Sequence, residues 1–486
     1  MRKLSAPKII GLVAVFCFAV VASAQTFTTL ATFDGTNGAN PVAPLVQGLD
    51  GNLYGTTMEQ GTGSYCSSGY CGTVFKMTRT GDLTTLHNFC DRELCADGTL
   101  PNAGLVLTDD GSFYGTTTSG GTLACFPTGC GTIFKITATG ALSTIHRFCE
   151  VSPNCPDGAN PYAGLVLASD GNLYGTTAGG GLKGGYGTVF RITRAGVLTT
   201  LHRFQNSNDG AYPFGGLIQA TDGNLYGTTT GNARLQTFGT VFRITLAGDF
   251  TTLHSFSPHG PAYPSVPLLQ ANDGNFYGTT LDGGPTNEGT IYMITPEGSV
   301  TLLFAFCVAC ADGSLPDAPL IQATDGNLYG TTTSGGTGRF GLEGTIFMSV
   351  DPPVAVYSFC SLPNCNDGAS PAAALLQATD GIFYGTTEYG PSFFGVGGTV
   401  FSFDTGLGPF VTFVRFAGKV GDTGPILGQG LTGTTSVSIN GIEAHFTVVS
   451  DTEIRATVPA GATTGYVTVT TPTGVLTSNV PFHVIQ

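Results

Sequence analysis

Asp50-Gly51-Asn52-Leu53-Tyr54-Gly55-Thr56-Thr57 occurs again, letter for letter, from Asp170, Asp222 and Asp325, and with small changes from Asp110, Asp273 and Asp380. The seven starts are 60, 60, 52, 51, 52 and 55 residues apart. A unit that returns at this period is one supersecondary module of a repeat architecture. The copy at 215–256 shows its parts. Gly216 to Ala220 is an apolar run, and Asp222-Gly223 is a hairpin turn that tolerates positive φ. Leu225 to Thr229, Gly239 to Thr245 and Phe250 to Phe256 then read as three further strands. Four antiparallel strands in about 50 residues describe one propeller blade. The chain is therefore expected to be all-β, a seven-bladed β-propeller of four-stranded antiparallel blades over residues 25–407. Thr28 to Phe33 copies the fourth strand ahead of the first complete unit. It is expected to complete the last blade and leave no open sheet edge.

The unit is similar to the NHL-type blade and, more specifically, resembles the GloVer tandem-repeat family. The likeness rests on DGNLYGTT, on Gly72 to Thr78 (GTVFKIT with one change) and on Leu83 to Phe89 (LTTLH-x-F). It implies a secreted or surface-attached bacterial protein with propeller-like repeats, and it implies no particular activity.

From about Gly408 the pattern changes to strict alternation with a turn every 8 to 12 residues, as in Gly428 to Gly441, Ala444 to Pro459 and Gly465 to Thr471. That is the pattern of a β-sandwich. Residues 408–486 resemble the IPT/TIG immunoglobulin-like domain, which implies a spacer or contact module.

Residues 1–24 read as a signal peptide. Arg2, Lys3 and Lys8 precede the apolar run Ile9 to Val21, and Ala22-Ser23-Ala24 offers cleavage between Ala24 and Gln25. The run is too short to span a bilayer, which takes about 20 apolar residues. Secretion, to the exterior or the periplasm, is expected, with no membrane insertion. The formal charge is −14, and loss of the three basic leader residues makes it −17, from 15 Lys+Arg against 32 Asp+Glu. Such a surface disfavours nucleic acid. The twelve cysteines after Cys17 fall in six close pairs: Cys66/Cys71, Cys90/Cys95, Cys125/Cys130, Cys149/Cys155, Cys307/Cys310 and Cys360/Cys365. Local disulfides in an oxidising compartment are expected. Zinc is the rival, but the pairs lie in separate repeats, are mostly C-x4-C, and have no histidine at ligand spacing.

Comparison between the repeats sorts the remaining candidates. His87, His146, His202 and His254 share one fourth-strand position with Phe304, Tyr357 and Ala31, which reads as packing. The octapeptide tyrosines read as inter-blade core and its aspartates as hairpin formers. Asp97, Asp157, Asp209, Asp312 and Asp367 each open Asp-Gly-x-x-Pro between blades. Asp34 opens a longer version, and His259 stands in the remaining loop. A rim of carboxylates could hold Ca²⁺. The plainer reading is a turn in which each aspartate bonds its own backbone before proline. The glycine triplets Gly179/Gly181/Gly184 and Gly428/Gly430/Gly433 open no helix and are loop glycines. No catalytic or cofactor-binding residue can be named. The strand 2–3 loops and the inter-blade links are expected at one end of the disc, and the short turns at the other. The expected function is extracellular binding or support, as a monomer without cofactor, with the loop end meeting a polysaccharide, a cell-surface component or a protein. The alternative is a carbohydrate-active lyase or hydrolase working at the central pocket.

Overall fold

The computed structural model describes residues 25–485 apart from 67–68, 123, 126–127, 151–153, 182–184, 233–236, 259, 308–310, 339–342, 351 and 392–396. The leader with Ala24, and also His259 and Cys310, lie outside the described residues. The described chain is all-β and propeller-like. It holds four-stranded antiparallel sheets and, apart from two short 3₁₀ turns, no helix. The first sheet runs Val46–Gln47, Leu53–Thr57, Thr73–Met77, Leu83–Asn88, each strand beside its successor. Five more sheets keep that order as far as Val354–Ser358. The next takes Leu376–Gln377, Phe383–Thr387 and Thr399–Asp404 from its own repeat, and its outer strand is Thr26–Thr32, antiparallel to Thr399–Asp404.

The repeat letters explain why sheets stack. Gly55 faces Phe75 across the sheet, and a Cβ on Gly55 would enter that ring. The same pairing recurs in the other repeats, with Tyr292 in place of Phe in the fifth. The ring that fills this space is buried and meets, edge to face, the phenylalanine that closes the fourth strand of the preceding sheet. The pairs are Phe89/Phe134, Phe148/Phe190, Phe204/Phe242, Phe256/Tyr292, Phe306/Phe347 and Phe359/Phe401, at 5.1–5.5 Å between centroids. Phe33, just past the strand lent to the last sheet, meets Phe75 of the first at 5.2 Å. Each such contact contributes roughly 0.5–1.5 kcal/mol beyond its burial.

Polar bonds follow the same rule. Thr57 and Thr73 join hydroxyls across the sheet at 2.8 Å, and each later sheet has the equivalent buried pair. Gln219, Gln270, Gln322 and Gln377 each accept a backbone N–H from the preceding sheet. Gln47 does so from Thr379 in the last sheet, at 2.9 Å. Arg79 adds an ion pair to Asp380 at 2.8 Å. First and last sheets are thus joined by the contacts that join neighbours elsewhere.

Beyond Asp404 the strands regroup. Thr412–Phe413, Thr423–Leu427, Glu453–Thr457 and Phe446–Val448 form one sheet; Ile442–Glu443, Ser436–Ile439, Val467–Thr471 and Gly474–Thr477 form a second. A parallel pair, Ala417–Lys419 with His483–Ile485, lies beside them. Val411, Ile426, Val437, Ile454, Val467 and Val469 share one core between the two sheets.

Phe190→Ala removes one aromatic contact and leaves a cavity between two sheets. It is expected to cost about 3–5 kcal/mol, read as a lower urea midpoint in equilibrium unfolding.

Candidate functional site

Each link between sheets passes through a non-glycine residue just before proline whose φ is positive. These are Asn40, Leu100, Asn160, Tyr212, Tyr263, Leu315 and Ser370, at 55° to 58°. An L-residue pays roughly 1–2 kcal/mol for this conformation. Hydrogen bonds on both sides hold it there. The Leu100 amide donates to the Cys71 carbonyl of the preceding repeat, and the Leu100 carbonyl accepts from Thr118 of its own. Asn40 does the same between Gly397 and Met58. Asp-Gly earlier in the link has its own reason: Gly98, at φ +106°, lies so close over Thr117 that a Cβ would strike the hydroxyl.

With the backbone fixed this way, the residue after proline is free to vary. The series runs Val42, Asn102, Tyr162, Phe214, Ser265, Asp317, Ala372. Neighbours in the series touch. The Tyr162 and Phe214 rings are 5.1 Å apart, edge to face, and the Ser265 hydroxyl donates to Asp317 Oδ1 at 3.2 Å. Tyr212 and Tyr186 extend the aromatic side, with Tyr212 6.4 Å from Phe214 and 5.8 Å from Tyr186. Tyr162 is 44% exposed, so the ledge is open to solvent.

The acidic side is built from single substitutions in the repeat. Glu59 and Asp282 stand two residues after Thr57 and Thr280, where the other repeats carry Ser, Gly or Tyr, and Glu388 stands one residue after Thr387, where the others carry Met, Thr, Ala or Leu. Burial pushes Asp317 up to about 6; the Ser265 bond opposes this, and the charges of Glu388 and Asp282 add to it. Glu388 is raised by burial against its bond with Tyr389, and Glu59 by burial and then by Glu388. Burial also raises Asp282. The charge of Glu388 thus acts on both Asp317 and Glu59, and that of Asp282 on Asp317, which links the four carboxyls as one acidic group. No sequence motif marks it. Its signal is that an acid stands in one or two repeats at a position that is uncharged in the others.

The histidines and link aspartates, read from sequence as unrelated, meet. His87 Nε2 is 3.0 Å from Asp97 Oδ2, His146 from Asp157 3.0 Å, His202 from Asp209 3.1 Å, and Tyr357 donates to Asp367 at 2.8 Å. Packing alone does not describe this strand position. Where it offers a donor and the link carries an aspartate, the carboxylate pairs with it; His254, whose link has no such aspartate, bonds the Gly298 backbone and is held below its ordinary pKa chiefly by burial. The same carboxylates also accept backbone N–H groups of Asp91, Cys149, Gln205 and Ser361. Asp312 belongs to the repeat in which Phe304 has no donor to offer. Asp34 accepts from Thr36 and Asn37. The octapeptide aspartates also do more than form turns: Asp50, Asp170, Asp222, Asp273, Asp325 and Asp380 each accept the hydroxyl of the tyrosine four residues on, at 2.8–2.9 Å.

Cys66–Cys71, Cys90–Cys95, Cys125–Cys130, Cys149–Cys155 and Cys360–Cys365 are disulfides, and Cys307 is disulfide-bonded. Among the described residues, one group of three or more Cys, His, Asp or Glu brings its ligand atoms within reach of a shared ion. It is Cys125, Cys130, Cys149 and Cys155. The link aspartates do not form one.

The opposite end, with its Asp-Gly turns, is partly covered by the C-terminal sheets. Thr452 donates to the Leu49 carbonyl at 2.7 Å, and Phe410 N–H to Thr379 at 3.1 Å. Asp109 Oδ2 is 2.8 Å from Arg415 Nε and 3.7 Å from Arg194, while Arg455 donates to the Asp109 carbonyl at 2.9 Å. A cavity of about 310 Å³ opens at this end between Tyr54, Phe113 and Thr137. Its carboxylates are engaged, Asp50 with Lys76 and Asp110 with Lys135.

The Gloeobacter/Verrucomicrobia repeat profile matches residues 15–159, 126–347 and 262–443. No curated protein matches the chain by sequence. Among solved structures, a fungal alcohol oxidase of the AA5 family in complex with copper is 12% identical, covering 95% of this chain and 99% of its own, with a TM-score of 0.46. The extracellular domain of a hybrid two-component system from B. thetaiotaomicron is 13% identical, covering 92% of this chain and 53% of that one, at 0.47. A gluconolactonase from Xanthomonas campestris is 14% identical, covering 58% and 87%, at 0.34.

Asp317 yields a pH test. Folding raises its pKa from 3.8 to about 6, so the folded chain holds the proton more tightly. The associated stability is complete below the unfolded value and lost as pH climbs through the folded one. Asp317→Asn, which mimics the protonated form, is expected to match the parent near pH 4 and exceed it by roughly 1–3 kcal/mol near pH 7.5, measured by thermal unfolding.

Proposed function

Because the chain belongs to the Gloeobacter/Verrucomicrobia repeat family, whose profile spans most of it, we propose that it is an exported binding protein whose loop end holds a neutral or cationic polysaccharide. In this reading residues 1–24 are a leader cleaved after Ala24. Residues 25–407 close into a seven-bladed propeller, and 408–486 form an immunoglobulin-like module of the IPT/TIG kind. The six cysteine pairs suit an oxidising exterior. The observation that carries the proposal is the ledge of Tyr162 and Phe214, which stand on the same series of positions as Asp317 and are extended by Tyr212 and Tyr186. Aromatic faces accept the C–H faces of sugar rings, and carboxylates accept their hydroxyls. The acidic chain repels anionic polymers, which narrows the class.

The carboxylate group favours one second reading, a hydrolase or lyase. A carboxyl with a pKa of about 6 is the kind that donates a proton near neutrality, and Asp317 has other acids beside it. Calcium is not required in either reading, since Asp97, Asp157, Asp209 and Asp367 already hold a side-chain donor and backbone amides.

A glycan array is expected to show saturable binding of neutral or amino-sugar polymers without product. Tyr162→Ala with Phe214→Ala should weaken binding about tenfold or more, each lost stacking contact being worth roughly 1 kcal/mol. Release of shortened sugars would replace this reading with the enzymatic one. Chelation should leave binding and Tm unchanged, and a fall in either would restore the aspartate rim as a calcium site.

A further inference from the structure

Cys125 and Cys130 lie in the loop between strands Phe113–Thr117 and Thr132–Ile136; Cys149 and Cys155 lie in the link that follows Leu142–Arg147. The spacing does not unite the two pairs, and on sequence their distribution told against a metal. In space all four sulfurs are within 4.8 Å of one another. Cys130 and Cys149 are 0% and 1% exposed, and Cys125 and Cys155 are part exposed, so the group is closed behind and open in front. Phe148, Ile133 and Leu165 pack in the same cluster and supply an apolar backing. The first repeat carries pairs in the same two loops, Cys66–Cys71 and Cys90–Cys95. No such grouping arises there among the described residues.

Tetrahedral zinc places its sulfurs about 2.3 Å from the ion, and therefore about 3.8 Å from each other. Four sulfurs already inside 4.8 Å of one another bracket that distance, and breaking each disulfide frees its two sulfurs to separate to it. Thiolates also select soft d¹⁰ cations over calcium or magnesium.

We infer that this quartet is one centre with two states: a pair of disulfides when oxidised, and a four-thiolate site for Zn²⁺ or a similar thiophilic divalent cation when reduced. The exchange balances with a dithiol as reductant. Two dithiols each give two electrons and two protons and leave as disulfides; both S–S bonds break and four thiols form. Metal binding then expels the thiol protons. In the oxidised state each disulfide closes its own loop, and in the metal-bound state one ion would join the link that carries Cys149 and Cys155 to the loop that carries Cys125 and Cys130.

The test uses the full chain, reduced by a phosphine (which takes its oxygen from water), desalted without air and titrated with Co²⁺. A single Co²⁺ is expected to bind, with thiolate-to-cobalt charge-transfer bands and tetrahedral d–d absorption, and Zn²⁺ should displace it. Alkylation read by mass spectrometry should be lost at Cys125, Cys130, Cys149 and Cys155 when metal is present, and persist at Cys66, Cys71, Cys90 and Cys95. Absence of saturable binding overturns the inference. So does protection at other cysteines, or loss of the strand circular-dichroism signal on reduction before metal is added.

Discussion

The architecture depends on one ring-to-ring contact, made again at each junction between sheets. A phenylalanine at the end of one fourth strand meets, edge to face, the aromatic ring on the third strand of the next sheet. The receiving ring fits because a glycine faces it across the sheet. Neither sheet could bury that ring alone, so the contact makes stacking a condition of folding. Phe33 and Phe75 make it between the two ends of the row, supported by Gln47 with Thr379 and Arg79 with Asp380. An arrangement closed this way presents no lateral edge to other chains.

Rigidity at the junctions is what permits variation between them. The pre-proline residues bear backbone strain, and they keep it because both their amide and carbonyl groups are bonded to flanking loops. The next side chain is then presented from a fixed point and varies among Val, Asn, Tyr, Phe, Ser, Asp and Ala. Two aromatic residues, Tyr162 and Phe214, come together in one stretch of the series, and Ser265 bonds Asp317 in the next. The C-terminal sheets sit over the turns at the opposite end, held on Asp109 by Arg415 and Arg455.

Much of this was legible from residues alone, for physical reasons. Period-two alternation, Asp-Gly turns and a repeated octapeptide are local signals, and they identified the strands, the four-strand unit and the role of Thr28 to Phe33. What could not be read was contact between segments far apart in the repeat. His87 and Asp97 are ten residues apart on a strand and a link, and nothing in either neighbourhood shows that they face each other. Gly55 stands next to Tyr54 in the chain, but the space it leaves belongs to Phe75, on another strand. Glu59 and Glu388 are more than 300 residues apart and become neighbours only when the row of sheets closes. The cysteine quartet escaped for the same reason, since pairing was sought within loops and not between them.

Hydrogen exchange at the junction of the chain's two ends tests this account most directly. The amides of Thr26–Thr32 that pair with Thr399–Asp404 should exchange as slowly as those of the first sheet and be released with them in one cooperative opening. Rapid exchange at Thr26–Thr32, while Leu53–Thr57 and Phe383–Thr387 stay protected, would show that the ends are not joined and contradict the closed arrangement.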